Sequence, residues 1–142
     1  MKKLKSVLII LISFFAISLN AQTEIDVLAR YYDSYPQSKY WYRGTVTRTE
    51  GSKCYVEYSD GDRKWHSNRA TVVPFVSVQY TGAKIGDKVL AKYYDSGYKS
   101  KYWYKGTITQ QDNDGKFYVE YDDGDRKWHG NHNTLVLFKT MQ

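Results

Sequence analysis

Along Val89 to Tyr94 the chain alternates, with Val89, Ala91 and Tyr93 on one side and Leu90, Lys92 and Tyr94 on the other. The same period runs through Tyr102, Tyr104, Gly106 and Ile108 against Trp103, Lys105, Thr107 and Thr109. It returns in Phe117, Val119 and Tyr121 against Tyr118 and Glu120. A period of two, rich in β-branched and aromatic residues, predicts half-buried strands. Asp123-Gly124 predicts a hairpin into a strand carrying Trp128, and Thr134 to Phe138 a short closing strand. Five short strands hide their edges best by curling into a small barrel. Only one apolar run is different. Val7 to Leu19 follows a basic start, Met1-Lys2-Lys3-Leu4-Lys5, and precedes the small residue Ala21. It is too short to span a bilayer comfortably, and the pattern predicts a secretory signal peptide, residues 1–21, cleaved after Ala21.

The strand pattern occurs twice. Val27 to Ser34 recurs as Val89 to Ser96, and Ser38 to Thr47 as Ser100 to Thr109, both offset by 62. Tyr55 to His66 recurs as Tyr118 to His129, offset by 63 and with a single change. Asp60-Gly61 is therefore the first unit's hairpin signal, and Thr71-Val72-Val73-Pro74-Phe75 its closing strand, with Pro74 suited to an edge. The units span residues 26–75 and 87–138, joined by a linker at 76–86. Two copies are too few for a solenoid, which leaves two small domains in tandem. About 50 residues is near the lower limit for a self-sufficient core. Large aromatics must supply the burial, or the units must pack on each other.

Charge changes this picture little. The formal charge is +6 over 142 residues, but Lys2, Lys3 and Lys5 leave with the signal peptide. Eighteen basic residues then face fifteen acidic ones, a weak argument for a polyanion partner. Aromatic content is the anomaly: all fifteen tyrosines and all four tryptophans follow residue 21. Cys54 is the only cysteine, so an intrachain disulfide is excluded, and Gln22 excludes a lipid anchor on the new N-terminus. Cys54 matches Phe117 in the other repeat and reads as a small hydrophobe.

Candidate chemistry is sparse. No serine or cysteine lies in a nucleophile motif, and His66, His129 and His132 are too few for a zinc site. Asp112-Asn113-Asp114-Gly115 reads as a turn rather than a calcium loop, because the terminal glutamate is missing. No catalytic residue, metal or cofactor is expected. Arg63-Lys64 and Arg126-Lys127 beside Trp65 and Trp128 have the look of a nucleic-acid surface. Asp60, Asp62, Asp123 and Asp125 would repel phosphate, which disfavours that partner. Trp41 and Trp103 lie on the strand face opposite the neighbouring tyrosines, suited to packing, an interface between units or a sugar platform.

Val89-Leu90-Ala91-Lys92-Tyr93, then Tyr104-Lys105-Gly106-Thr107-Ile108, then Tyr118-Val119-Glu120-Tyr121-Asp122-Asp123-Gly124 resemble the Tudor domain, with tandem Tudor or Agenet-type modules as the nearest comparison. The resemblance covers both units. It implies an all-β fold of two tandem five-stranded SH3-like barrels, and at each mouth an aromatic cage for methylated lysine or arginine. Carried over, the cages are Tyr31, Tyr42, Tyr58 and Asp60, and Tyr93, Tyr104, Tyr121 and Asp123. Where some Tudor domains place a further aromatic after the Asp-Gly, Asp62 and Asp125 stand here, making each cage more acidic and less enclosed. Aromatic faces attract an ammonium through their quadrupoles, and a carboxylate adds charge. The same tyrosines could equally fill a tiny barrel's core.

The sequence thus points to an exported, periplasmic or secreted, non-enzymatic binding protein without a membrane anchor. Its expected partner is a protein or peptide bearing a methylated cationic side chain, or another quaternary ammonium group. Glycan or cell-wall binding through exposed Trp and Tyr, and a purely structural interaction module, are the alternatives. The second unit is expected to be the better reader, because Asp122 replaces Ser59 and Gly97-Tyr98-Lys99 replaces the loop carrying Pro36.

Overall fold

The computed structural model describes residues 23–31, 40–93 and 102–141. The expected signal peptide, and the loop segments carrying Pro36 and Gly97-Tyr98-Lys99, lie outside the described residues. Among the described residues no helix is long and apolar enough to cross a membrane.

The chain is all-β, in two SH3-like barrels of five strands each. The first holds β1 (Ile25–Arg30), β2 (Trp41–Glu50), β3 (Lys53–Tyr58), β4 (Arg63–His66) and β5 (Val72–Pro74). The second holds β6 (Lys88–Lys92), β7 (Trp103–Gln111), β8 (Phe117–Tyr121), β9 (Arg126–His129) and β10 (Leu135–Leu137). Every pairing is antiparallel, in the order β4-β3-β2-β1-β5 and its repeat β9-β8-β7-β6-β10. The long strands β2 and β7 bend because the ladder slips by one residue, between Val46 and Arg48 and between Ile108 and Gln110. Gly44 and Gly106 sit where the barrel wall crosses itself closely. A Cβ on Gly106 would fall 2.8 Å from both the Glu120 carbonyl oxygen and Val119 Cγ1. The Asp-Gly hairpins turn on Gly61 and Gly124, each at φ +94°.

Three apolar layers hold the molecule. Val27, Ala29, Val46, Cys54, Val56 and Val72 fill the first barrel, and Val89, Ala91, Ile108, Phe117, Val119 and Leu135 the second. Between them lies a third layer of Leu28, Trp41, Val73, Leu90, Trp103 and Val136, flanked by Phe75 and Phe138. β1, β6 and β10 are therefore buried on both faces, which explains why Val-Leu-Ala in the first two and Leu-Val in β10 read as unbroken apolar runs. Trp41 and Trp103 pair across the junction and join the barrels into one ten-stranded sheet. Each ring meets the other unit's phenylalanine edge-on, Trp41 with Phe138 at 5.6 Å and Trp103 with Phe75 at 5.5 Å. Full burial of each aliphatic residue in this layer contributes about 1.5–3 kcal/mol.

The segment 76–86, expected as a linker, is seated on the second barrel. Ser77 bridges to Val136, its hydroxyl donates to the His132 carbonyl at 2.8 Å, and Val78 enters the second core. The C-terminal tail returns the exchange. The Met141 amide donates to the Val72 carbonyl at 2.9 Å, and its side chain packs against the first core. Val78 and Met141 lie 63 positions apart, so each unit sends the residue four positions past its fifth strand into its neighbour.

Candidate functional site

The tyrosines gather where the first strand ends and the second begins. After β1 the Tyr31 amide donates to the Tyr40 carbonyl, and after β6 the Tyr93 amide to the Tyr102 carbonyl, each at 3.0 Å. This closure brings Tyr31 onto Tyr42, with ring centroids 4.8 Å apart, and onto Tyr58 at 5.7 Å. Tyr42 and Tyr58 stand almost perpendicular, 6.4 Å apart at 87°. The second unit repeats the set: Tyr93 to Tyr104 at 5.0 Å, Tyr93 to Tyr121 at 5.8 Å, and Tyr104 to Tyr121 at 6.2 Å and 86°.

Tyr58 and Tyr121 are pinned from behind. The Tyr58 hydroxyl lies 2.7 Å from His66 Nε2 and 3.0 Å from the Arg30 carbonyl. His66 Nδ1 lies 2.8 Å from Thr71 Oγ1, which donates to the Asn68 carbonyl at 2.6 Å. Thr71 therefore accepts from Nδ1–H, and the single Tyr58 hydroxyl proton is shared between the Arg30 carbonyl and Nε2 of the neutral ring. Burial, followed by the charge of Lys64, pushes His66 down to about 4. His129 repeats this between Tyr121 and Thr134, pushed down to about 4 by burial and by Lys127. The two buried histidines were legible only as residues repeated between the units; their place behind the site depends on β4 and β9 turning them inward while Trp65 and Trp128 face out.

Two open cavities, about 340 Å³ and 360 Å³, lie beside these clusters. Tyr42, Tyr58 and Asp60 wall the first, together with Arg43, and Lys92 and Trp103 reach it from the second barrel. Tyr104, Tyr121, Asp122 and Asp123 wall the second with Lys105 and Phe138, joined by Arg30 and Trp41 from the first barrel. Of the eight expected cage residues, six line a cavity. Tyr31 and Tyr93 instead stand behind, wedged against the lining tyrosines. Asp60 and Asp123 are held in place by their own turns, each Oδ1 accepting a backbone amide two residues on at 3.0 Å.

Local sequence did not reveal that each site is shared between the units. Tyr40 and Tyr102 stack across the junction at 4.9 Å and 25°. Tyr102 then meets Tyr42 edge-on at 5.1 Å, and Tyr40 meets Tyr104 at 4.9 Å. Tyr42 is held well above the usual phenol range, first by burial and then by its hydrogen bond with Tyr102; Tyr104 is raised likewise, with Tyr40 as partner. Both phenols are therefore neutral and present faces rather than charge. The walls differ in charge. Arg43 and Lys92 face Asp60 alone in the first cavity, whereas Arg30 and Lys105 face Asp122 and Asp123 in the second. Arg43 also lies over Phe75 at 4.1 Å and 3.7 Å from Asp26, and Lys105 lies over Phe138 at 4.2 Å. Trp41 and Trp103 are packed into the layer between the barrels, edge-on to Phe138 and Phe75, so neither offers the broad exposed face of a sugar platform. Among the described residues no cluster of histidine, cysteine and carboxylates could hold a metal ion.

The family model described as Agenet domain matches the chain over residues 24–82 and again over 86–134. No curated protein matches it.

Proposed function

The chain belongs to the Agenet-domain family, whose members are typically protein-binding modules, and from that premise we propose that it is an exported, non-enzymatic reader of a methylated or otherwise quaternary cation. The observation that carries the reading is the repeated pair of perpendicular tyrosines with an aspartate beside them in an open cavity. Half-buried Tyr42 and Tyr104 offer the main ring face, with Tyr58 and Tyr121, each 4% exposed, forming the floor about 6 Å away; each cation contact contributes about 0.5–2 kcal/mol. The carboxylate favours a cation and accepts a hydrogen bond from a lower methylation state. The partner is a protein or peptide carrying that group.

The second cavity is the better reader. Its wall carries the extra carboxylate Asp122, where the first cavity has Ser59. Titration with peptides carrying trimethyllysine or dimethylarginine, followed by calorimetry, tests the assignment. Tyr104→Ala and Tyr121→Ala should each weaken binding about tenfold or more, and Tyr42→Ala should leave most of it. Binding unchanged by all three substitutions would sink it.

Export rests on the basic and apolar start of the chain. Mass spectrometry of protein recovered outside the cytoplasm should give an N-terminus at Gln22; a chain retaining Met1 in a soluble cytoplasmic pool would contradict it.

A further inference from the structure

The outer faces of the two barrels carry the same aromatic pair in different company. On the first, Arg48, Tyr55 and Trp65 stand abreast across β2, β3 and β4, because Arg48 registers with Tyr55 and Tyr55 with Trp65. The two rings lie 5.0 Å apart at 53°. Arg48 lays its guanidinium across them, 4.3 Å from the Tyr55 centroid and 5.6 Å from that of Trp65. On the second barrel Gln110, Tyr118 and Trp128 hold the same three places. Their rings lie 4.9 Å apart at 49°, so the platform is duplicated almost unchanged while its cation is replaced by a neutral amide. Among the described residues no cationic side chain lies over Tyr118 or Trp128. Trp128 is 43% exposed, the most of the four tryptophans.

The surroundings of the uncovered platform have also become more acidic. Glu120 shares the face of Tyr118, as Glu57 shares that of Tyr55, with its carboxylate 4.0 Å from Arg126. Asp112 stands where the first barrel has Glu50, and the turn adds Asp114 where the first has only the uncharged Gly51-Ser52. A planar guanidinium stacks on aromatic faces better than a compact, strongly hydrated ammonium does. The first barrel supplies its own such group, and the second presents the same surface without one.

We propose that the Tyr118–Trp128 platform is a second recognition site, distinct from the tyrosine cavities, that takes the guanidinium of an arginine side chain from a partner protein. It occupies the place that Arg48 fills in the first barrel. The site lies on the outer face of β8 and β9, so its occupant need not enter a barrel mouth.

The test is a titration of the intact two-barrel protein with L-arginine amide at constant ionic strength, following tryptophan indole N–H resonances. The Trp128 signal should shift saturably while Trp65 stays still, and L-lysine amide should produce a smaller shift. Gln110→Arg should abolish the Trp128 response by covering the platform from within. Arg48→Gln should create a matching response at Trp65. An unchanged Trp103 resonance reports that each variant keeps the junction intact. The proposal is overturned by a Trp128 signal that ignores arginine, by a response that survives Gln110→Arg, or by equal shifts from lysine. A sugar oligomer that moves Trp128 where arginine does not would overturn it in favour of a glycan.

Discussion

At the scale of single residues, the two buried histidines make stability depend on acid. His66 and His129 are each 3% exposed and titrate in the folded chain near 4, against 6.5 for an ordinary histidine. The unfolded chain therefore binds more protons between those values, and their contribution is complete above about pH 6.5 and lost as pH falls toward 4. Each is worth about 3 kcal/mol at most over that window. Urea midpoints measured from pH 7 to pH 4 should drop in wild type and drop less in a His129→Gln variant; parallel curves would remove the histidines from the account. Gly106 offers a second test. Its Cβ would meet a carbonyl oxygen that the β7–β8 ladder holds in place, so Gly106→Ala should destabilise by about 1–3 kcal/mol in a urea melt.

At the scale of strands, the tail exchange is the feature most open to test. Met141→Ala should destabilise the first barrel by about 1 kcal/mol, because its half-buried side chain packs there and not on its own unit. Hydrogen exchange should quicken more at Val56 and Ala29, through added local opening of the first barrel, than at Val119; a larger change at Val119 would refute the exchange. These strands also measure how far the sequence could be read. Period-two alternation and the Asp-Gly turns located the second unit's strands, short apolar segments gave the closing ones, and the repeat carried them to the first unit. The lining tyrosines of β2, β3, β7 and β8 were named through the resemblance to the Tudor domain, since periodicity alone could not tell a cage from core packing. The exchanged tails were not legible, since Val78 and Met141 look like ordinary apolar residues in a joining segment and a terminus. Nor was the sharing of each cavity: nothing near Tyr40 in sequence says that its ring stacks on Tyr102. The unbroken apolar runs at Val27-Leu28-Ala29 and Leu135-Val136-Leu137 were the available sign of a second buried face.

At the scale of the whole molecule, the third apolar layer makes the barrels one cooperative object. A fragment of residues 82–142 would expose Leu90, Trp103 and Val136 and lack Val78, so it should fail to melt cooperatively as a monomer. A sharp monomeric transition for that fragment would show the layer to be dispensable. Trp103→Ala in the intact chain should cost about 3–5 kcal/mol and disturb both cavities, because the ring closes the layer and reaches the first cavity's wall. The central claim is that a quaternary cation rests between two perpendicular tyrosines in a cavity built by both barrels. Intermolecular nuclear Overhauser effects from the methyl protons of a trimethyllysine peptide test it most directly. The account predicts contacts to the rings of Tyr104 and Tyr121, with Trp41 of the other barrel at the rim. Methyl protons that reach neither tyrosine ring, while the peptide still binds, would contradict it.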